Sequence, residues 1–246
     1  MKNIDNCVIH IIGAGPAGIS LAYYANLAGV KNINLYEKSN SLGGMARSWK
    51  HDDFILDTGP HIYHTDDKEI ENDWLNIGND LLVRGEYSSC NILSDFKNKL
   101  FHYPLSLETL KDNLDSLKVK EIEDEINELK SIDKSAAAEN FDNFMKAKVG
   151  KILTKMFYTD YPKKVWGIST EKMLADWAPQ RIELRDKNES FYKKPFVAVG
   201  LEGTGCFYNR IIDILKKNKN FKVFKYKELT GLSKTDERIT KLIFNN

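Results

Sequence analysis

The stretch CVIHIIGAGPAG, residues 7–18, decides the fold of this chain. Its first half, Cys7–Ile12, is a nearly continuous apolar run, which is typical of a strand buried on both faces of a parallel sheet. A glycine-rich turn follows at once, and the residues after it predict a helix over 19–28 and a second strand over 33–37. Strand, glycine turn, helix and strand together fill about 30 residues, which is the length of one βαβ unit.

The glycines of this turn have the spacing Gly13-x-Gly15-x-x-Gly18. The first glycine permits a tight turn, the second lets a pyrophosphate approach the backbone, and the third lets the helix pack closely on the strand. The N–H groups at the start of the helix then face the phosphates. Glu37 ends the second strand about 20 residues further on, where a carboxylate accepts hydrogen bonds from a ribose diol. We therefore interpret this region as a Rossmann-like site for NAD or FAD.

Charge and cysteine content exclude several classes of protein. The chain has 36 Lys+Arg and 35 Asp+Glu among 246 residues, so neither a polycationic nucleic-acid arm nor an acidic tail dominates it. Three widely spaced cysteines, Cys7, Cys90 and Cys206, form no CxxC pair, which argues against a disulfide framework or a metal site. Since we find no signal peptide and no run of about 18 apolar residues, we expect a cytoplasmic protein that binds no membrane.

The hydrophobic pattern of the sequence changes twice along the chain. Apolar residues recur at three- and four-residue steps between 105 and 156, which predicts amphipathic helices, the first with a single stripe of Leu107, Leu110, Leu114 and Leu117. Strand-like runs return at 196–199, 221–226 and 239–244, with a glycine turn at 200–205 and a helix at 207–216 before the last two. We expect an α/β fold with a small antiparallel sheet. Its Rossmann-like nucleotide-binding domain, 1–88 and 196–246, is interrupted by a mainly helical substrate domain at 89–195.

A second glycine pair, Gly43-Gly44, follows Glu37-Lys38 and precedes Arg47. This arrangement resembles the flavin proteins of the amine oxidase, phytoene desaturase and protoporphyrinogen oxidase group. The resemblance implies that the cofactor is FAD and that Gly43 and Gly44 let the chain pass close to it. It also implies that Arg47 faces phosphate or ribityl oxygens, although an ordinary surface arginine is the alternative.

The stretch from Asp57 to Thr65, DTGPHIYHT, closely resembles the GPHxxHT segment of UDP-galactopyranose mutases. The resemblance implies that His61 and His64 lie beside the flavin, where a histidine can donate or accept a proton near neutral pH. In all, the cofactor-binding residues expected are Gly13, Gly15, Gly18, Glu37, Lys38, Gly43, Gly44, Arg47, Gly59, Pro60, His61 and Ile62.

Segments further along extend the resemblance over nearly the whole chain. Tyr161 and Trp166 lie in a segment similar to the family's Y-x4-W-G motif, and Arg181 lies in a segment similar to its diphosphate-binding one. Gly203-Thr-Gly205 is similar to the glycine turn before its returning helix. The resemblance implies that Tyr161, Trp166 and Arg181 bind the substrate and that His64 and Arg181 are catalytic. Without the resemblance, Tyr161 and Trp166 would be interpreted as core aromatics.

The resemblance implies a UDP-galactopyranose mutase-like isomerase in cell-surface polysaccharide biosynthesis. Such an enzyme interconverts the pyranose and furanose forms of a UDP-sugar through an adduct at N5 of reduced FAD. Its partner would be the UDP-sugar, with a homodimer left open. Two alternatives remain: an amine oxidase-like or protoporphyrinogen oxidase-like oxidoreductase with the same FAD segment, or an inactive truncated homologue. Members of the family continue well past residue 246, so we expect the chain to lack their C-terminal part and to bind FAD weakly by itself.

Overall fold

The structure is a computed structural model, which describes residues 7–59, 61–87, 89–130, 138–177, 184–190, 192, 194 and 196–245. The chain forms two compact units, which are described separately. The first comprises Met1–Gly85 and Lys194–Asn246, and the second comprises Glu86–Lys193. The sequence predicts these boundaries at 88–89 and 195–196, two to three residues later in the chain than the structure has them.

The described residues contain the following larger elements, numbered in chain order. The strands are β1 Val8–Ile12, β2 Asn32–Tyr36, β3 Ser48–His51, β4 Phe54–Asp57, β5 Tyr63–Thr65, β6 Leu82–Arg84, β7 Ser89–Leu93, β8 Lys99–Tyr103, β9 Phe196–Gly200, β10 Phe221–Phe224, β11 Leu229–Thr235 and β12 Arg238–Phe244. The helices are α1 Pro16–Leu27, α2 Lys68–Gly78, α3 Leu107–Asn113, α4 Ser116–Lys130, α5 Phe141–Leu153, α6 Asp160–Trp166 and α7 Gly205–Leu215.

A parallel sheet with the strand order β1-β2-β10 is the centre of the first unit. Helices α1 and α7 pack together against it, and Ile33 and Leu35 of β2 are fully buried beneath them with Ile19 of α1. The sequence prediction of a βαβ start and an α/β Rossmann-like fold is therefore confirmed. The parallel pairing places the carboxyl ends of β1 and β2 side by side, next to the glycine turn.

The prediction that β1 is buried on both faces is wrong. Val8 and Ile12 are 50% and 44% exposed, whereas Ile11 on the opposite face is buried. Only the face beneath α1 is covered well enough to bury its side chains.

Small antiparallel sheets complete the first unit, as the sequence predicts. Strands β5, β9 and β6 form one sheet with β9 in the middle, and the pairs β3–β4 and β11–β12 form hairpins. The sequence interpretation does not include α2 or β11. In α2, which lies at 68–78, Asp67 caps the first turn by accepting the N–H groups of Glu69 and Ile70.

The second unit is mainly helical, with the hairpin β7–β8 preceding α3–α6. Its core contains the fully buried side chains of Phe101, Leu110, Met145 and Leu153. A single helical stripe through Leu107–Leu117 is wrong, because α3 ends at Asn113 and the chain is extended at Leu114. Leu117, which follows this break, is 75% exposed.

Helix α5 is kinked at Gly150, where φ is +85°. The carboxylate of Glu125 in α4 accepts the N–H groups of Lys151 and Ile152 at 2.8 and 3.0 Å. Glu125 thus caps the segment after the kink from a neighbouring helix.

We expect Glu125→Ala to destabilise the chain by about 1–2 kcal/mol, the usual cost of losing a helix cap. Denaturant unfolding measures this, and Asp124→Ala, which changes the adjacent exposed residue of α4, should leave stability nearly unchanged.

Candidate functional site

The glycine turn between β1 and α1 is the first part of the candidate site. Gly13 has φ +95° and donates its N–H to the Tyr36 carbonyl at 2.8 Å. Gly15 is the N-cap of α1, and Pro16 occupies the first helical position, where its missing N–H costs nothing. A Cβ added at Gly15 would meet only the Gly44 Cα, at 3.8 Å. The turn therefore leaves space beside its backbone, which is where a pyrophosphate would lie.

Gly18 is required for the packing of α1 and not for the approach of a ligand. A Cβ at this position would overlap the carbonyl oxygen of Gly13 and lie 3.2 Å from Ile11 Cγ2. Helix α1 consequently packs on β1 at a distance that no other residue permits. Gly13 thus forms the turn, Gly15 leaves the backbone open to a ligand, and Gly18 allows the close packing of the helix on the strand.

Glu37 lies directly after β2 and is 9% exposed. One carboxylate oxygen accepts the Ala14 N–H at 2.9 Å and the other accepts the Ser39 N–H at 2.9 Å. Burial alone would raise the pKa of Glu37, but these backbone hydrogen bonds outweigh it and lower the pKa. The carboxylate is therefore ionised at neutral pH and fixes the glycine turn. Because it has about four acceptor positions, it can also accept ribose hydroxyls.

The second glycine pair lies directly against the first turn. Gly43 has φ +100° and donates its N–H to the Ala14 carbonyl at 2.7 Å. A Cβ at Gly44 would lie 2.9 Å from the Gly15 Cα. These glycines therefore let two loops meet, and Arg47, which follows them, is half-buried immediately before β3. Lys38 is exposed.

The two histidines lie in different surroundings. His61 is half-buried, and its Nδ1 atom is buried without a hydrogen-bond partner among the described residues. His64 lies in β5, opposite Val197 of β9. Gly59 precedes this segment, and Ile62 within it is half-buried, whereas Pro60 lies outside the described residues.

Tyr161 and Trp166 lie on α6 of the second unit. They are 68% and 53% exposed, so the alternative that they are core aromatics is wrong. Their rings are large amphipathic surfaces on which a base or sugar can stack. Arg181 lies outside the described residues.

Sequence reasoning missed the cluster beneath the second glycine pair, where Asp57 contacts Ser48 and Thr204. Ser48 donates its hydroxyl to Asp57, and the Thr204 N–H and hydroxyl donate to the same carboxylate, at 3.1 and 2.8 Å to one of its oxygens. A single sequence gives little signal for such a cluster, since Thr204 lies far from the other two residues in the chain. Asp57 at the end of a strand that leads into the histidine segment was the one available hint.

Residues 11–76, which contain both glycine turns, Glu37 and both histidines, match the model of a family described as "NAD(P)-binding Rossmann-like domain". This part of the chain is similar to that family and has a Rossmann-like fold. No match was found among curated proteins. The open space beside Gly15, the Glu37 carboxylate and the unpartnered Nδ1 of His61 fit a dinucleotide cofactor in this domain.

Solved structures match the chain beyond the Rossmann-like domain. One is reduced UDP-galactopyranose mutase, with 22% identity and a TM-score of 0.75 over 92% of this chain and 50% of that chain. A candidate protoporphyrinogen oxidase from Exiguobacterium sp. 255-15 has 18% identity and a TM-score of 0.62 over 99% and 57%. An oxidoreductase from Methanosarcina mazei has 13% identity and a TM-score of 0.58 over 96% and 55%. The chain spans about half the length of these structures, and the likeness shows the fold.

In the described part of the chain, no group of three or more His, Cys, Asp or Glu side chains could hold a metal ion. No described helix has the length and apolar character needed to cross a membrane.

Proposed function

We propose that the Rossmann-like domain binds FAD and that the chain works in a mutase that interconverts the pyranose and furanose forms of a UDP-sugar. The observation that carries the proposal is the contact between the two glycine turns. Gly15 and Gly44 meet so closely that a Cβ at Gly44 would lie 2.9 Å from the Gly15 Cα. Residues 13–18 and Glu37 then hold the ADP half of FAD, while the segment after Gly44 leads toward the flavin half. The fold match to reduced UDP-galactopyranose mutase supports the proposal.

Each candidate residue has a role of its own in this proposal. Glu37 accepts the ribose hydroxyls, and Arg47 neutralises phosphate. His64 holds or moves a proton near the flavin. Tyr161 and Trp166 stack on the nucleotide sugar, and Arg181 binds its diphosphate through a planar fork of N–H groups. Bound FAD in its reduced form supplies a nucleophilic nitrogen for covalent catalysis without net redox change.

An FAD-dependent oxidoreductase is the second candidate function. The match to the candidate protoporphyrinogen oxidase covers 99% of this chain, more than the match to the mutase does. Such an enzyme would use the same glycine turns and Glu37, but it would not need Tyr161, Trp166 or Arg181. In it, bound FAD would accept a hydride from a C–H bond, as a carbon–nitrogen or carbon–carbon single bond of the substrate is oxidised to a double bond.

Three measurements on the purified chain test these proposals. Visible flavin absorbance at one FAD per chain tests the cofactor. Conversion of UDP-galactose in the presence of dithionite supports the mutase, whereas oxygen-dependent peroxide formation with amines supports the oxidoreductase. Bound FAD with neither reaction would contradict both activities for this chain and leave cofactor binding intact.

Binding of UDP tests the substrate class independently of turnover. We expect Arg181→Ala to weaken UDP binding by about 10–100-fold, because a charge-assisted pair of hydrogen bonds is lost, with no change in flavin absorbance. Calorimetric titration with UDP measures the effect. Arg238→Ala, which changes an exposed arginine in β12, is the matched control. Equal UDP affinity of the parent and Arg181→Ala would refute the assignment.

A further inference from the structure

The carboxylate of Asp57 is the centre of a hydrogen-bonded group that we call the Asp57 cluster: Ser48, Asp57, Tyr63, Thr204 and Gly205. Asp57 accepts hydrogen bonds from the Ser48 hydroxyl and from both the N–H and the hydroxyl of Thr204. Ser48 Oγ in turn accepts the Gly205 N–H at 2.8 Å, and the Tyr63 hydroxyl donates to the Thr204 carbonyl at 3.1 Å. Every polar group of Thr204 therefore has a partner within the cluster.

The cluster leaves no room for side chains on the turn that it holds. A Cβ at Gly203 would lie 2.8 Å from Asp57 Oδ1, and a Cβ at Gly205 would lie 2.6 Å from the Ser48 nitrogen. Gly203 also has φ +76°, which disfavours any other residue. The start of α7 is consequently fixed against the hairpin β3–β4, although the two segments are far apart in sequence.

The charge of Asp57 makes this connection strong. Burial alone would raise the pKa of Asp57, but the hydrogen bonds from Ser48 and Thr204 outweigh it and lower the pKa. The carboxylate is therefore ionised at neutral pH. A hydrogen bond to a charged group is roughly twice as strong as one between neutral groups.

The same cluster borders both segments that lead to the flavin half of the proposed site. Ser48 directly follows Arg47, and Thr58, next to Asp57, donates its hydroxyl to the Met45 carbonyl. Three residues beyond Thr58 lies His61, whose buried Nδ1 has no partner among the described residues. The negative charge of Asp57 interacts with this imidazole. Fixing Asp57 therefore fixes the backbone that carries Arg47 and the backbone that carries His61.

We propose that Asp57 is a positioning residue of the dinucleotide site, which holds Arg47 and His61 against the flavin half of FAD through the Asp57 cluster. The inference rests on the proposed FAD binding but not on any reaction of the chain. The ADP half meets residues 13–18 and Glu37, which are held by their own hydrogen bonds. Loss of the cluster should consequently weaken binding of FAD and leave binding of ADP alone intact.

The test compares the affinities of the purified chain for FAD and for ADP. We expect Asp57→Asn to weaken FAD binding by about 10–100-fold, the equivalent of one or two charged hydrogen bonds, with ADP affinity within about 2-fold of the parent. Asp53→Asn, in the exposed turn of the same hairpin, is the matched control. At Thr204, Thr204→Val should reproduce the loss, and Thr204→Ser, which keeps the hydroxyl, should restore FAD affinity.

Several results would overturn the proposal. Unchanged FAD affinity in Asp57→Asn would do so, and so would an equal loss of FAD and ADP affinity, which indicates a general structural role. If Asp57→Asn fails to fold, Ser48→Ala replaces it with the same two expectations. A parent chain that binds ADP but not FAD would also refute it. FAD binding without isomerisation of UDP-galactose would contradict the mutase proposal and leave this one standing.

Discussion

Replacement of Gly15 by alanine is expected to weaken dinucleotide binding strongly and leave the fold intact. Gly15 has φ −79° and ψ −177°, which alanine adopts freely, and its added Cβ would meet only the Gly44 Cα at an ordinary 3.8 Å. Stability should therefore stay the same or rise by about 0.4–1 kcal/mol, as for other glycine-to-alanine changes at unstrained positions. The methyl group would occupy the space of the pyrophosphate, and we expect affinity for FAD and ADP to fall by about 100-fold.

Gly18→Ala provides the matched contrast, because it changes the same turn by the same methyl group. Its Cβ would overlap the Gly13 carbonyl oxygen, so the helix must move away from β1. We expect a loss of about 1–3 kcal/mol in the free energy of unfolding, as for other overpacked positions. Denaturant unfolding and calorimetric titration of both variants measure these effects. Equal FAD affinity in Gly15→Ala and the parent, or Gly18→Ala as stable as the parent, would contradict this division of roles.

The local sequence pattern predicted those parts of the fold that are formed by residues close together in the chain. The strand, the glycine turn and α1 follow from apolar periodicity and from glycine spacing, so their positions were predicted within a few residues. The predicted burial of β1 on both faces was wrong, since burial depends on what packs over each face of the strand and not on the local pattern. The break between α3 and α4 was also missed, because Leu114 and Leu117 continue the helical spacing while the backbone at Leu114 is extended.

The candidate site was predicted unevenly for the same physical reason. The spacing of residues 13–18 and Glu37 is typical of a dinucleotide site, so sequence alone predicts them as site residues. It did not reveal that Glu37 binds the Ala14 N–H or that Gly44 meets Gly15, since these are contacts between loops. The Asp57 cluster is the extreme case. Asp57 and Thr204 are 147 positions apart, and only folding brings them together.

Glu37→Gln is expected to lower both stability and FAD affinity at neutral pH. The carboxylate accepts the Ala14 and Ser39 N–H groups on separate oxygens, whereas an amide has one carbonyl oxygen and presents a donor in place of the other. One N–H would then face an NH₂ group. We expect a loss of about 1–3 kcal/mol in the free energy of unfolding, the usual cost of an unmade hydrogen bond to a charged acceptor. Glu237→Gln, in the exposed turn between β11 and β12, is the control.

The pH dependence of the free energy of unfolding shows whether the charge of Glu37 is the cause of the stability lost in Glu37→Gln. Hydrogen bonds hold the pKa of folded Glu37 below its ordinary value of 4.5, so the folded state binds its proton less readily than the unfolded state. The stabilising contribution of the carboxylate is therefore fully present well above pH 4.5 and disappears as pH falls through the lower folded pKa. Denaturant unfolding of the parent and Glu37→Gln should show a difference at neutral pH that narrows in acid. A difference that stays constant across that range would mean that the shape of the side chain, rather than its charge, holds the glycine turn.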